Sequence, residues 1–125
     1  MAYRYKDLIV WQKARILAAE IYRATEPFPK CELYGLTSQV RRAAVSVASN
    51  IAEGQGRMTL GEFEHFLGMS RGSLLELETQ LAIAVDLKYL SREDFHKLEA
   101  QSCEVRRLLN GLINSLRVRK PAFRS

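Results

Sequence analysis

Apolar residues recur at spacings of three and four along nearly the whole chain, a pattern that predicts α-helix throughout. Leu8, Trp11, Ala14, Ala18, Ile21, Tyr22 and Thr25 share one face and predict a first helix over about residues 6–25. Pro27-Phe28-Pro29 stops it, because proline disfavours helix in the residue before it. Leu36, Val40, Ala44, Val47 and Ile51 line one face of a second helix over about residues 32–55, with Gly54 and Gly56 at its end. Thr59-Leu60-Gly61-Glu62 reads as a capping box opening a third helix over about residues 60–87. Its inward face is Leu60, Phe63, Leu67, Ser70, Leu74, Leu77, Leu81 and Ala84. Ser91 with Glu93 and Asp94 marks the start of a fourth helix, where the dipole favours acids. This helix, over about residues 92–118, buries Phe95, Leu98, Ser102, Val105, Leu109, Leu112 and Leu116. Pro121 is expected to stop it. Four helices with short connections predict an all-α, antiparallel up-down-up-down four-helix bundle. The bundle fills one domain, residues 1–118, and residues 119–125 form a basic C-terminal tail.

The second helix departs from an ordinary amphipathic pattern. Between Tyr34 and Gly56 its only charged residues are Arg41, Arg42 and Glu53, and one flank carries Val45, Ala48, Ser49 and Ala52. A helix so low in charge is buried on several sides. A lone bundle would leave one side wet, so this helix is expected at or near an interface between copies of the chain. Gly61, Gly68 and Gly72 lie on the third helix away from its leucines. Each mid-helix glycine costs about 1 kcal/mol relative to alanine. Close approach of another backbone, at Gly68 and Gly72 and also at Gly54, is the expected compensation.

Length and charge narrow the functional classes. The 125 residues, 47% hydrophobic and 26% charged, suit one globular domain. Cys31 and Cys103 form no C-x-x-C pair, which suits reduced thiols and excludes a thiol-rich metal site. The amino terminus has no apolar signal core and the chain has no apolar run of membrane-spanning length, so a cytoplasmic protein without a membrane partner is expected. The net charge is +5, but residues 117–125 hold Arg117, Arg119, Lys120 and Arg124 and no acid. These four are candidate phosphate contacts for a weak, sequence-tolerant hold on RNA or DNA.

Candidate catalytic patterns fail on placement. Gly68-Met69-Ser70-Arg71-Gly72 matches a nucleophile elbow, which works only at a strand-to-helix turn, yet it lies within a helix with Ser70 among the leucines. Glu62-x-x-His65 and Glu93-x-x-His96, with Glu20 and Glu53, imitate a di-iron carboxylate set. Antiparallel pairing of the third and fourth helices separates the two histidines by roughly 25 Å along the axis. No catalytic residue, cofactor or metal site is therefore expected. Arg42, Ser46, Asn50 and Glu53 fall in one arc of the second helix, and Ser73, Glu76 and Gln80 form a similar stripe on the third. They are expected to make a buried structural polar network, with Arg42 and Glu76 as a buried ion pair inside the chain or across an interface.

Several segments carry a family resemblance. Leu8-Ile9-Val10-Trp11-Gln12-Lys13-Ala14, Phe28-Pro29, Tyr34 to Gln39, Arg42 to Gly54, Arg57 and Gly72 to Glu78 resemble the four-helix-bundle proteins encoded in intervening sequences of bacterial 23S rRNA genes. The likeness spans about residues 5–115, with Ala48 where the family pattern commonly has proline. It implies a homopentameric ring, no established catalysis, and an architectural use for Arg42, Ser46, Asn50, Glu53, Gly54, Gly72, Ser73, Glu76 and Glu78. It also implies a distant likeness to the nucleic-acid-binding accessory protein of diversity-generating retroelements, a reverse-transcriptase partner.

Overall fold

The computed structural model describes residues 4–123, with side chains described as far as Val118. Four helices carry it: α1 (Ile9–Thr25), α2 (Leu36–Gln55), α3 (Leu60–Asp86) and α4 (Arg92–Phe123). Two short 3-10 turns, Tyr5–Asp7 and Lys30–Glu32, precede α1 and α2, and the described residues contain no strand. The chain is thus all-α. α1 packs on α2 and α4, α3 packs on α2 and α4, and α1 and α3 make no close backbone approach.

The helix starts differ from the sequence expectation where side chains replace helical turns. α1 begins at Ile9 rather than residue 6, because Leu8 is extended and the Gln12 amide donates to the Lys6 carbonyl. α2 begins at Leu36 rather than residue 32. Glu32 instead folds back so that one carboxylate oxygen accepts the Leu36 N–H at 3.1 Å. A Cβ on Gly35 would sit 2.7 Å from that oxygen, so glycine leaves the cap its room. The other Glu32 oxygen accepts the Tyr89 hydroxyl at 3.0 Å, joining the α1–α2 loop to the α3–α4 turn. Chiefly through that hydrogen bond, the neighbouring carboxylate holds the Tyr89 phenol above its ordinary pKa.

The expected caps of α3 and α4 form. Thr59 Oγ1 accepts the Glu62 N–H at 3.1 Å, and Ser91 Oγ accepts the Asp94 N–H at 3.1 Å. α3 ends with Lys88 at φ 64°, the left-handed position that glycine normally fills. Lys88→Gly is therefore expected to raise the unfolding free energy by about 0.5–1 kcal/mol, read as a higher urea midpoint; a lower midpoint would contradict it. α4 runs through Pro121 to Phe123, against the expected stop. Proline's fixed φ suits a helix, and in the final turn its missing N–H costs a single bond.

The core lies between all four helices. Val40, Val47, Ile51, Leu67, Leu74, Leu77, Leu81, Leu109 and Ile113 are fully enclosed. The buried stripe of α1 is Val10, Ala14, Leu17, Ile21 and Thr25, so the expected face was rotated. Trp11 and Ala18 flank this stripe. Tyr22 lies outside it, under the Arg41 guanidinium 4.7 Å from the ring centroid.

Candidate functional site

The α2–α3 seam gathers most of the polar residues singled out above. It is fixed at one end by Gly54, where an added Cβ would stand 2.8 Å from Phe66 Cβ and 3.2 Å from the Phe63 carbonyl oxygen. The expected close approach thus occurs at Gly54. It does not occur within the chain at Gly68 or Gly72, where nothing lies within 4 Å of an added Cβ. Both face outward from α3 rather than toward a neighbouring helix. Farther along, Ser70 is fully buried and donates to the Val47 carbonyl at 2.7 Å, so its hydroxyl is spent on helix packing.

Next come Ser46 and Ser73, whose hydroxyls meet at 2.9 Å. Asn50 Nδ2 donates to Ser46 Oγ and to the Ser46 carbonyl, both at 2.9 Å. Beyond them a cleft of about 460 Å3 opens, lined by Gln39, Arg42, Ala43, Ser46, Ser73 and Glu76. Glu76 accepts from Gln80 Nε2 at 3.2 Å, while Gln80 Oε1 is buried without a partner.

The sequence stripe therefore resolves into separate parts. Ser46, Asn50 and Ser73 form one hydrogen-bonded group, and Glu76 with Gln80 forms another. Arg42 and Glu76 are both exposed, and no ion pair joins them within the chain, which removes the first of the two arrangements expected above. They stand on different helices at an open cleft, where water can solvate each without the other. Glu53 pairs with Arg57 at 2.8 Å, one turn on, and takes no part in the serine group. Among the cleft residues there is no Cys, His or Lys to serve as nucleophile or base.

The other candidates occupy ordinary surface positions. Glu62 belongs to the α3 cap and His65 packs its ring against Phe66. His96 stands 3.8 Å from Glu99 on its own helix. Among the described residues no three His, Cys, Asp or Glu side chains converge on one point. Arg117 donates to Glu64 at 2.7 Å and so is held to α3. The candidate contacts Arg119, Lys120 and Arg124 lie outside the described side chains.

Two clamps lie outside the polar stripes, one of them at Glu78, for which the resemblance implied an architectural use. Glu78 accepts from the buried Ser102 at 2.7 Å and from Arg106, tying α3 to α4. Arg41 donates to Thr25 Oγ1 at 2.9 Å and to the Tyr22 carbonyl at 3.3 Å, tying α2 to α1. The available signal was a serine at a predicted core position, Ser102, which needs a buried partner.

A family model described as 23S rRNA-intervening sequence protein matches residues 6–111. Among solved structures, a protein of unknown function from the S23 ribosomal protein family of Bacteroides thetaiotaomicron matches with a TM-score of 0.80 at 23% identity. The match covers 87% of this chain and 98% of that one, and it shows a shared fold. No curated protein matches.

Proposed function

We propose that this chain, which belongs to the 23S rRNA-intervening sequence protein family, is a non-enzymatic scaffold that works as a homo-oligomer of up-down-up-down bundles. The observation that supports it best is the exposed side of α2. Val45 and Ser49 lie open there between the exposed Arg42 and Glu53 and beside the half-buried Ala48 and Ala52. Between those two charges the surface is small and apolar, which suits close packing of a neighbouring copy with the charges at the rim. The resemblance supplies the ring and the number five. In this scheme residues 1–118 are the bundle domain, the protein is cytoplasmic, and the α2–α3 polar cleft serves architecture. No helix among the described residues is long and apolar enough to cross a membrane.

Val45→Arg tests the role of α2. Val45 is exposed and outside the core, so the variant is expected to keep its helix content. Light scattering should show smaller species than the wild type. An unchanged mass would place the interface elsewhere.

A second reading, nucleic-acid association, is favoured by the concentration of basic residues at 117–125. Removing that segment is expected to weaken binding of a single-stranded RNA oligonucleotide. It should also reduce the slope of log K against log salt by roughly 2–3, about 0.7 per phosphate contact on a single strand. An unchanged slope would move the binding surface onto the bundle.

A further inference from the structure

The outward side of α3 is as unusual as that of α2. From Gly68 to Ile83 its exposed residues are Met69, Gly72, Leu75, Glu76, Thr79, Ala82 and Ile83, with Glu76 the one charged residue among them. Met69, Leu75 and Ile83 are 43–49% exposed. Gly68 and Gly72 give this side a low floor with open space above it. The first two turns of α4 offer a contrast: exposed Arg92, Glu93, Asp94, His96, Lys97 and Glu99 make a solvated face.

On α1, Ile9 is 61% and Ile16 47% exposed, two turns apart with exposed Gln12 and Lys13 between them. The two faces sit on different sides of the molecule, since α1 and α3 do not approach one another. Their charges are opposite. Exposed Lys13, Arg15 and Arg23 stand on α1 without an exposed acid within the helix. Lys13 is paired with Glu104 and Arg23 with Glu20, whereas Arg15 lies over the Trp11 ring and pairs with no carboxylate among the described residues. Glu76 holds only the Gln80 amide.

We infer that the α1 face of one copy docks on the glycine-floored α3 face of the next, with Arg15 of one chain toward Glu76 of the other. The contact is heterologous: each chain offers two different faces and keeps one of each free for a further neighbour. Such contacts close into a ring when the rotation per copy closes, whereas one self-complementary patch stops at a dimer. The inference rests on the oligomer proposed above and adds which surfaces meet and in what sense; the exposed side of α2, which packs on both α1 and α3, borders both faces.

Two variants and their mixture test it. Ile16→Glu places an acid opposite Glu76, and Gly72→Arg places a bulky cation opposite Arg15. Both positions are exposed, so circular dichroism should match the wild type. Each variant alone is expected to fall to the single-chain mass, 14.3 kDa, in light scattering. Mixed in equal amounts, they are expected to recover at least twice that mass, because one intact α1 face then meets one intact α3 face. Ile9→Glu probes the same α1 face should Ile16→Glu fail to fold. Wild-type mass for the α1 variants would overturn the inference, as would a mixture that stays at the single-chain mass. A wild type that is itself a single chain would instead overturn the oligomer on which the inference rests.

Discussion

Gly54→Val is expected to lower the unfolding free energy by about 2–3 kcal/mol. At this position α2 and α3 are closer than any side chain allows. The first added carbon would stand 2.8 Å from Phe66 Cβ and 3.0 Å from the Phe63 ring. Neither neighbour is the free end of a flexible side chain, and the Phe63 carbonyl at 3.2 Å is backbone. The helices must part to admit it. Parting them strains Ser70 on Val47 and Ser46 on Ser73, the bonds that join the same two helices farther along. Valine improves on glycine in helix propensity by only a few tenths of a kcal/mol, too little to offset the clash. Gly72→Ala is the control. It meets open space in the chain and should not destabilise the fold. Urea denaturation of the two variants decides the matter, and equal midpoints would contradict the close approach.

Glu78→Ala is expected to cost about 2 kcal/mol. One carboxylate receives both the Ser102 hydroxyl and the Arg106 guanidinium. Ser102 is fully buried, so without Glu78 its hydroxyl loses a charge-assisted bond in a place water does not reach. Arg106 is one-third exposed and can turn to solvent, which keeps the loss below that of a fully buried ion pair. Ser102→Ala should cost less, about 1 kcal/mol, since the ion pair survives. The two substitutions together should cost less than the sum of each alone, because they break one network. Strict additivity in the double-mutant cycle would show that Glu78 and Ser102 do not act together.

The positions of the helices were legible in the sequence because periodicity and caps agree. Thr59 with Glu62 and Ser91 with Asp94 cap where the residue types require, and the apolar stripe of α3 is buried from Leu67 to Ala84. Elements whose geometry depends on distant partners were not legible. The start of α2 is decided by Glu32 folding back onto Leu36 while holding Tyr89, which lies far along the chain. The rotation of α1 depends on which two helices flank it, so Val10 and Leu17 turn inward and Tyr22 does not.

The candidate site was half legible. Helical spacing brought Ser46, Asn50 and Ser73 together, since side chains on one arc of α2 face one arc of α3. It could not decide whether Arg42 and Glu76 touch. Two long side chains within axial reach still choose between each other and water, and at an open cleft they stand apart. The partners of Arg41 and Glu78 could not be read from helical spacing, because each reaches across to a different helix, a direction that a single-helix pattern does not contain.

The open glycines of α3, the small residues of α2 and the isoleucines of α1 gain a common purpose if copies of the chain cover them. Native mass spectrometry of the full chain near neutral pH and moderate salt counts those copies directly. A closed assembly at an integer multiple of 14.3 kDa is expected, with five chains the multiple implied by the family. A single species at 14.3 kDa at micromolar protein would contradict it.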